Sequence, residues 1–214
     1  MTAAFDLGRV EVGEMRLSER DEAIAVIARA MSDSPQHIAA FGSDHERNCR
    51  NLTRMFRSMF AIVRGQRPLV ARLDGRIVGA TNELREAGCQ PSAIEKLRLA
   101  PAVLSVGPRA LPRVGRWLAD WERRDPHVPH SHYGPFGVEP ALQGRGIGSL
   151  VLTEYTRRLD ADRLDAYLET DKPENVALYS RFGFDVIDDG GLLGAPNWFM
   201  WRTAGADAPA TPKR

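Results

Sequence analysis

Apolar positions along this chain recur with two periods, and the alternation between them predicts the elements. Val10, Val12 and Met15 are spaced as the inward side of a first strand over residues 10–16. Ile24, Ile27, Ala28 and Met31 follow at i, i+3, i+4, i+7, one face of a helix, with Ser18 and Asp21 ahead of them as a helix start. Residues 32–42 read as a polar break. Ser43-Asp44-His45-Glu46 has the form of a capping box, and Leu52, Met55, Phe56 and Met59 make the core-facing stripe of a second helix that ends near residues 63–65. Residues 68–73 and 76–84 flank Asp74-Gly75, a pair suited to the positive φ angles of a tight hairpin turn. Residues 91–126 form a helical, proline-punctuated insertion with Leu111, Val114, Leu118 and Trp121 at helical spacing.

The second half opens with a central strand over residues 130–138. Gly134-Pro135-Phe136-Gly137 should interrupt its pairing, because proline lacks a ladder donor and glycine favours bulges. A helix over residues 146–159 carries a broad apolar side. The next strand, 164–169, alternates: Ala166 and Leu168 one way, Asp165, Tyr167 and Glu169 the other. Asp171-Lys172-Pro173-Glu174 reads as a capping box with proline in the first turn, starting a helix that Gly183 ends. Residues 184–187 and 198–202 are the last two strands. The glycine-rich stretch 188–196 between them is expected to be a mobile loop. Residues 1–8 read as a loose lead-in and 203–214 as a disordered tail.

Composition narrows the class without naming a function. With 214 residues, 43% apolar and 27% charged, the chain suits one soluble globular domain, or one domain with an insertion. Its order of strands and helices makes this an α/β domain, expected over residues 1–202. A net charge of +1 steers it to neither nucleic acid nor anionic membrane. No apolar run approaches a membrane span, and residues 1–16 lack the apolar core of a signal peptide. Cys49 and Cys89 are too few for a disulfide framework and suit reduced thiols in a cytoplasmic protein.

Candidate chemistry concentrates in residues 137–149. Here a strand gives way to a helix through Gln143-Gly144-Arg145-Gly146-Ile147-Gly148-Ser149. Glycines let backbone N–H groups approach a ligand, and a helix start adds unpaired donors and the positive end of the macrodipole. Together they suit a phosphate or pyrophosphate. No Gly-Lys-Ser/Thr ending makes this a P-loop, and the dinucleotide pattern fails at Ser149.

Gln143, Gly146 and Gly148 instead resemble motif A of the GNAT superfamily, the Gcn5-related N-acetyltransferases, Gln/Arg-x-x-Gly-x-Gly/Ala after a strand. The stretch from Asn175 through Ala177 and Tyr179 to Gly183-Phe184 resembles that family's next motif. The resemblance is specific over roughly residues 130–187. It implies a mixed, mostly antiparallel sheet of six to seven strands with a splayed parallel central pair, flanked by helices. It also implies acetyl transfer from acetyl-CoA, as cosubstrate, to an amine. By that resemblance the N–H groups from Gln143 to Ser149 hold the pyrophosphate, with Arg145 able to add charge. Phe136, Gly137 and Val138 border the pantetheine arm, the N–H of Val138 faces the thioester carbonyl, and Asn175 bonds the CoA arm.

Tyr179 matches the family's general acid. A phenol with an ordinary pKa of about 10 is protonated at neutral pH and can donate to the leaving thiolate. The attacking amine must lose a proton, and the motifs do not fix the base. Glu169 is the first candidate, Glu83 the second and His132 the third. His37, Phe41 and His45 are substrate-side candidates by the segment they occupy. His127, His130 and His132 cluster in sequence, but prolines flank them and no spaced carboxylate completes a set, so no metal site is expected. A small-molecule amine acceptor is the first expectation, with a homodimer left open. A catalytically idle acetyl-CoA sensor and a peptide N-terminal acetyltransferase are the alternatives.

Overall fold

The computed structural model describes residues 5–85 and 90–206, so Cys89 and most of the expected tail lie outside the described residues. Strands β1 (Val10–Glu14), β2 (Leu69–Leu73), β3 (Arg76–Leu84), β4 (Ser131–Val138), β5 (Ala166–Thr170), β6 (Asp185–Leu192) and β7 (Ala195–Arg202) form one sheet in the order β1-β2-β3-β4-β5-β7-β6. Every neighbouring pair is antiparallel except β4 and β5. This is the mixed, mostly antiparallel α/β sheet expected from the sequence.

Helices α1 (Arg20–Met31), α2 (Pro35–Phe41), α3 (His45–Ile62) and α5 (Leu111–Arg124) build a core against one face of the sheet, with α4 (Ala93–Leu104) packed beside α3 and α5. Ile24 and Ile27 of α1, Leu52 and Phe56 of α3, and Val114 and Trp117 of α5 meet Val70, Ile77 and Ala80 of the sheet there. Helices α6 (Ile147–Asp162) and α7 (Pro173–Ser180) cover the opposite face. Tyr155, Leu152 and Leu159 of α6 and Tyr179 of α7 pack on Ala166, Leu168 and Met200.

Several local starts differ from expectation. Helix α1 is preceded by a short 3-10 turn, Leu17–Glu19, in which Glu19 rather than Ser18 is the capping group: its carboxylate accepts the Arg16 N–H at 2.7 Å and pairs with Arg72. Residues 32–42 are not merely a break. Ser34 caps α2 there, and Pro35 takes the first helical turn, where its missing N–H costs nothing. Asp44, not Ser43, caps α3. Asp171 does not cap α7; its carboxylate accepts the Gln36 N–H of α2 at 2.7 Å and so ties two layers together.

The stretch 188–196 is a β-hairpin, not a mobile loop. Strands β6 and β7 pair from Asp185↔Trp201 to Leu192↔Ala195. Leu193 and Gly194 make the turn, both at positive φ, as a type I′ connection requires. Glycines at 190 and 191 weaken intrinsic strand preference, but the ladder to β7 supplies the pairing they lack locally.

Gly137 is required by packing. A Cβ at that position would lie 2.7 Å from the Ala30 Cβ and 2.9 Å from the Ile27 Cα, so α1 presses its backbone onto β4. Gly137→Ala should therefore destabilise the fold by about 1–3 kcal/mol. Urea unfolding measures this, and an unchanged midpoint would mean that α1 can retreat without cost.

Candidate active site

Strand β4 is shared between two partners, and it satisfies them at different ends. Toward β3 it pairs from Leu84↔His132 to Gly79↔Val138, with a shift between Thr81↔Phe136 and Glu83↔Tyr133. Asn82 thus faces two residues, Gly134 and Pro135, which is the expected bulge. Toward β5 the parallel register covers only Ser131↔Ala166 and His132↔Tyr167. Beyond His132 the two strands part.

Backbone direction places Val138 at that parting. Glu139 donates its N–H to the Val78 carbonyl at 2.8 Å, so by antiparallel alternation Val138 points its N–H and C=O away from β3. The Val138 carbonyl accepts the Gln143 side-chain N–H at 3.1 Å. The Val138 N–H faces the open side of β4.

The loop that follows has the donors expected of an anion cradle. Gly144 and Gly146 take φ of +73° and +89°, and Gly146 stands at the N-cap of α6 with no side chain capping the end. The first intrahelical bond runs from Leu150 N–H to Gly146 C=O, leaving the N–H groups of Ile147, Gly148 and Ser149 as the helix's free end. The Arg145 guanidinium lies over the Phe5 ring at 5.2 Å. Ile147 is core: its side chain is buried among Val78, Val138 and Val151, so only its backbone is left to face the loop. Phe136 packs on Tyr133 and close to Gly148.

On the α6–α7 face, Tyr179 is buried against Tyr133 and Phe184. Burial, with a smaller push from the Asp171 charge, raises its phenol pKa well above the ordinary value. It is a protonated donor throughout the neutral range. Asn175, one turn earlier on α7, donates to the Thr170 hydroxyl at 3.1 Å. This bond fixes the helix start on the end of β5.

The three candidate bases separate by what holds their polar atoms. Glu83 is 1% exposed; its Oε1 accepts from Arg85 at 2.8 Å and its Oε2 from Ser131 at 2.9 Å, so both oxygens are engaged. Burial pushes its carboxyl pKa up, against the pull of Arg85. Glu169 lies on the opposite face of β5 from Leu168. Its Oε2 faces His132 Nε2 at 2.9 Å, while its buried Oε1 has no hydrogen-bond partner among the described residues. His132 therefore belongs with Glu169 rather than competing with it.

The same face gathers groups that the sequence left scattered. His130 and His132 flank the Asp125 carboxylate at the end of α5, so the carboxylate judged missing from the histidine run is supplied by the residue just before it. Proline at 126 does not prevent the approach, because Asp125 leaves the helix in an extended conformation. Gln36 Nε2, both polar atoms of the Asn197 side chain, and the indole nitrogens of Trp117 and Trp121 are buried there without hydrogen-bond partners among the described residues. No pattern in the chain marks Gln36 or Asn197, which are 161 positions apart (197 − 36). A groove of about 280 Å³ opens on the β6–β7 hairpin, lined by Asp189, Gly190, Gly191, Pro196, Asn197 and Trp198. Of the other substrate-side candidates, His37 and Phe41 are buried against Trp117, whereas His45 is exposed at the start of α3.

The chain matches the model of the acetyltransferase (GNAT) family over residues 36–184, more than half its length. It belongs to that family. Its fold is similar to a Corynebacterium glutamicum structure described as histone acetyltransferase HPA2 and related acetyltransferase, at 20% identity and a TM-score of 0.68, covering 96% of this chain and 99% of the other. It is also similar to a GNAT family acetyltransferase from Brucella melitensis in complex with acetyl-CoA, at 18% identity and a TM-score of 0.53, covering 94% and 91%. A PaiA N-acetyltransferase from Thermoplasma acidophilum in complex with coenzyme A matches at 12% identity and a TM-score of 0.53, covering 91% and 98%. Among the described residues no helix is long and apolar enough to cross a membrane.

Burial lowers the His37 pKa from 6.5 to about 4, against an opposing pull from the Asp171 charge. Between those two values the unfolded chain holds a proton on this residue that the folded chain refuses, so stability falls as pH falls through that window. Unfolding free energies measured across it should show this slope, and His37→Asn should flatten it. An identical slope in the variant would assign it to other groups.

Proposed function

We propose that this protein transfers an acetyl group from acetyl-CoA directly to the amine of a small polar acceptor. The observation that carries the reading is the parting of β4 and β5 beside an uncapped helix start. The gap offers the Val138 N–H to a thioester carbonyl, and the loop from Gln143 to Ser149 offers backbone donors to a pyrophosphate. In this reading Gly137 and Phe136 border the pantetheine arm, and Asn175 holds the end of β5 where that arm passes.

The sheet divides the work. Tyr179, on the α6–α7 face, protonates the departing CoA thiolate. The acceptor enters from the α2–α5 face, where Glu169 keeps one buried oxygen without a hydrogen-bond partner among the described residues and can take the ammonium proton, directly or through water. The amine nitrogen forms its bond to the thioester carbon as the C–S bond breaks; the products are an amide and CoA thiol. The buried amides of Gln36 and Asn197, and the indole N–H groups of Trp117 and Trp121, suit an acceptor that carries hydrogen-bonding groups of its own, because an unpaired buried donor is costly until a ligand satisfies it. Such a substrate would be small and polar, drawn from polyamines, amino acids, aminoglycosides or similar amines.

Free-thiol release from acetyl-CoA with pooled acceptors tests the reaction. Tyr179→Phe should lower turnover at least about tenfold while leaving acetyl-CoA affinity within about twofold, the pattern of a group that acts only in the transition state. Turnover equal to wild type would remove Tyr179 as the acid.

Ser149→Glu tests the cradle separately. An acid in the first turn favours the helix itself, so folding should be kept. The added charge should weaken acetyl-CoA binding by about tenfold or more, as read by calorimetry. Undiminished affinity would place the pyrophosphate elsewhere.

A further inference from the structure

Asp125, His130 and His132 converge under the acceptor-side face at a spacing that ordinary hydrogen bonds do not explain. The Asp125 Oδ1 lies 3.5 Å from His130 Nε2 and 3.5 Å from His132 Nδ1. Hydrogen bonds between charged partners normally close to about 2.7–2.9 Å. Ligands 2.0–2.1 Å from a tetrahedral zinc stand about 3.4 Å apart. All three ligand atoms fall within 4.8 Å of one another. Asp125 is 6% and His130 2% exposed, so this is a site inside the protein, not a surface cluster.

The outer side of each imidazole is held as well. His130 Nδ1 lies 2.7 Å from the Val128 carbonyl oxygen, and His132 Nε2 lies 2.9 Å from Glu169 Oε2. Both partners are acceptors, so each outer nitrogen carries the N–H. In a neutral imidazole the inner nitrogen is then the one able to ligate, and both inner nitrogens stand beside the same Asp125 oxygen. A cation at that point would be shared by all three groups. A carbonyl or carboxylate behind each ligating histidine is the arrangement that fixes tautomer and ring direction at metal centres.

We propose that Asp125, His130 and His132 form a binding site for one divalent transition-metal ion of the zinc class. Two imidazoles and one carboxylate select such an ion over calcium or magnesium, which prefer all-oxygen shells. Among the described residues two carboxylates, Asp125 and Glu169, face the cluster and would offset a divalent cation. The ion ties the end of α5 to β4, and through His132 it holds Glu169 in place on β5. The histidines come from Ser131's two neighbours on β4 and its approach, at an i, i+2 spacing that puts both rings on one face of the sheet.

The site adjoins Glu169, the base of the acyl-transfer reading, but zinc binding is measured apart from turnover, so the two can fail separately. The test uses the full chain, stripped with a chelator, dialysed into metal-free buffer and titrated with zinc chloride by calorimetry. Thermal unfolding is followed with and without the ion. One zinc per chain and a raised unfolding midpoint are expected. Asp125→Asn and His132→Gln should each weaken zinc binding by about a hundredfold or more and abolish the thermal shift. His127→Gln alters an exposed histidine two residues from Asp125 and should bind as wild type. Far-UV circular dichroism, measured on each variant, reports that it is folded. No zinc uptake by the stripped wild-type protein would overturn the proposal. So would uptake that survives Asp125→Asn and His132→Gln or disappears with His127→Gln.

Discussion

Two parallel strands that pair at one end and part at the other are the constraint on which the rest of this structure depends. A strand edge without a partner leaves backbone donors and acceptors unsatisfied, and burying them that way is costly. Here β4 and β5 share only two register positions before they separate. The fold tolerates the opening because both strands are paired on their other sides, β4 to β3 on either side of its bulge and β5 to β7 along its whole length. The opening is held from both faces. Helix α1 presses its backbone onto Gly137, and Tyr133, Tyr155 and Tyr179 pack together beneath. Helix α6 then begins at the end of β4, so the free backbone of the gap and the free N–H groups of the helix start lie on one continuous path.

Polar groups inside the domain follow the same division. On the α6 face, Tyr155 donates to Ser131, Ser131 to Glu83, and Arg85 pairs with Glu83, while Arg85 Nη2 and the Tyr133 hydroxyl are buried without hydrogen-bond partners among the described residues. Opposite it, the network of Glu169, His132, Asp125 and His130 is joined by buried amide and indole groups that lack partners among the described residues. A buried, incomplete network is costly unless something else completes it, and the proposed acceptor would do so on the α2–α5 side.

How much of this was legible in the sequence varied with the range of the interaction. The motif loop from Gln143 to Ser149, the bulge at Gly134-Pro135 and the alternation of β5 are local patterns, and each stands where expected. The family resemblance supplied the strand parting, which no local pattern encodes. Features set by distant partners were not legible. Asp171 looks like a helix cap in sequence but serves Gln36, 135 positions away. Glycines at 190 and 191 suggest a loop, yet the ladder to β7 makes them strand. The histidines near residue 130 lack a carboxylate in the linear pattern because Asp125 lies beyond Pro126, at the end of the helical insertion. The buried amides of Gln36 and Asn197 carry no signal in sequence at all.

The most direct measurement of the account is amide hydrogen exchange with and without acetyl-CoA. Binding in the proposed path should protect the N–H of Val138 and those from Gly144 to Ser149, with little change on β1 and β2. Binding that protects other segments, and leaves Val138 and the motif loop exchanging as in the free protein, would contradict the placement of the cosubstrate between β4 and β5.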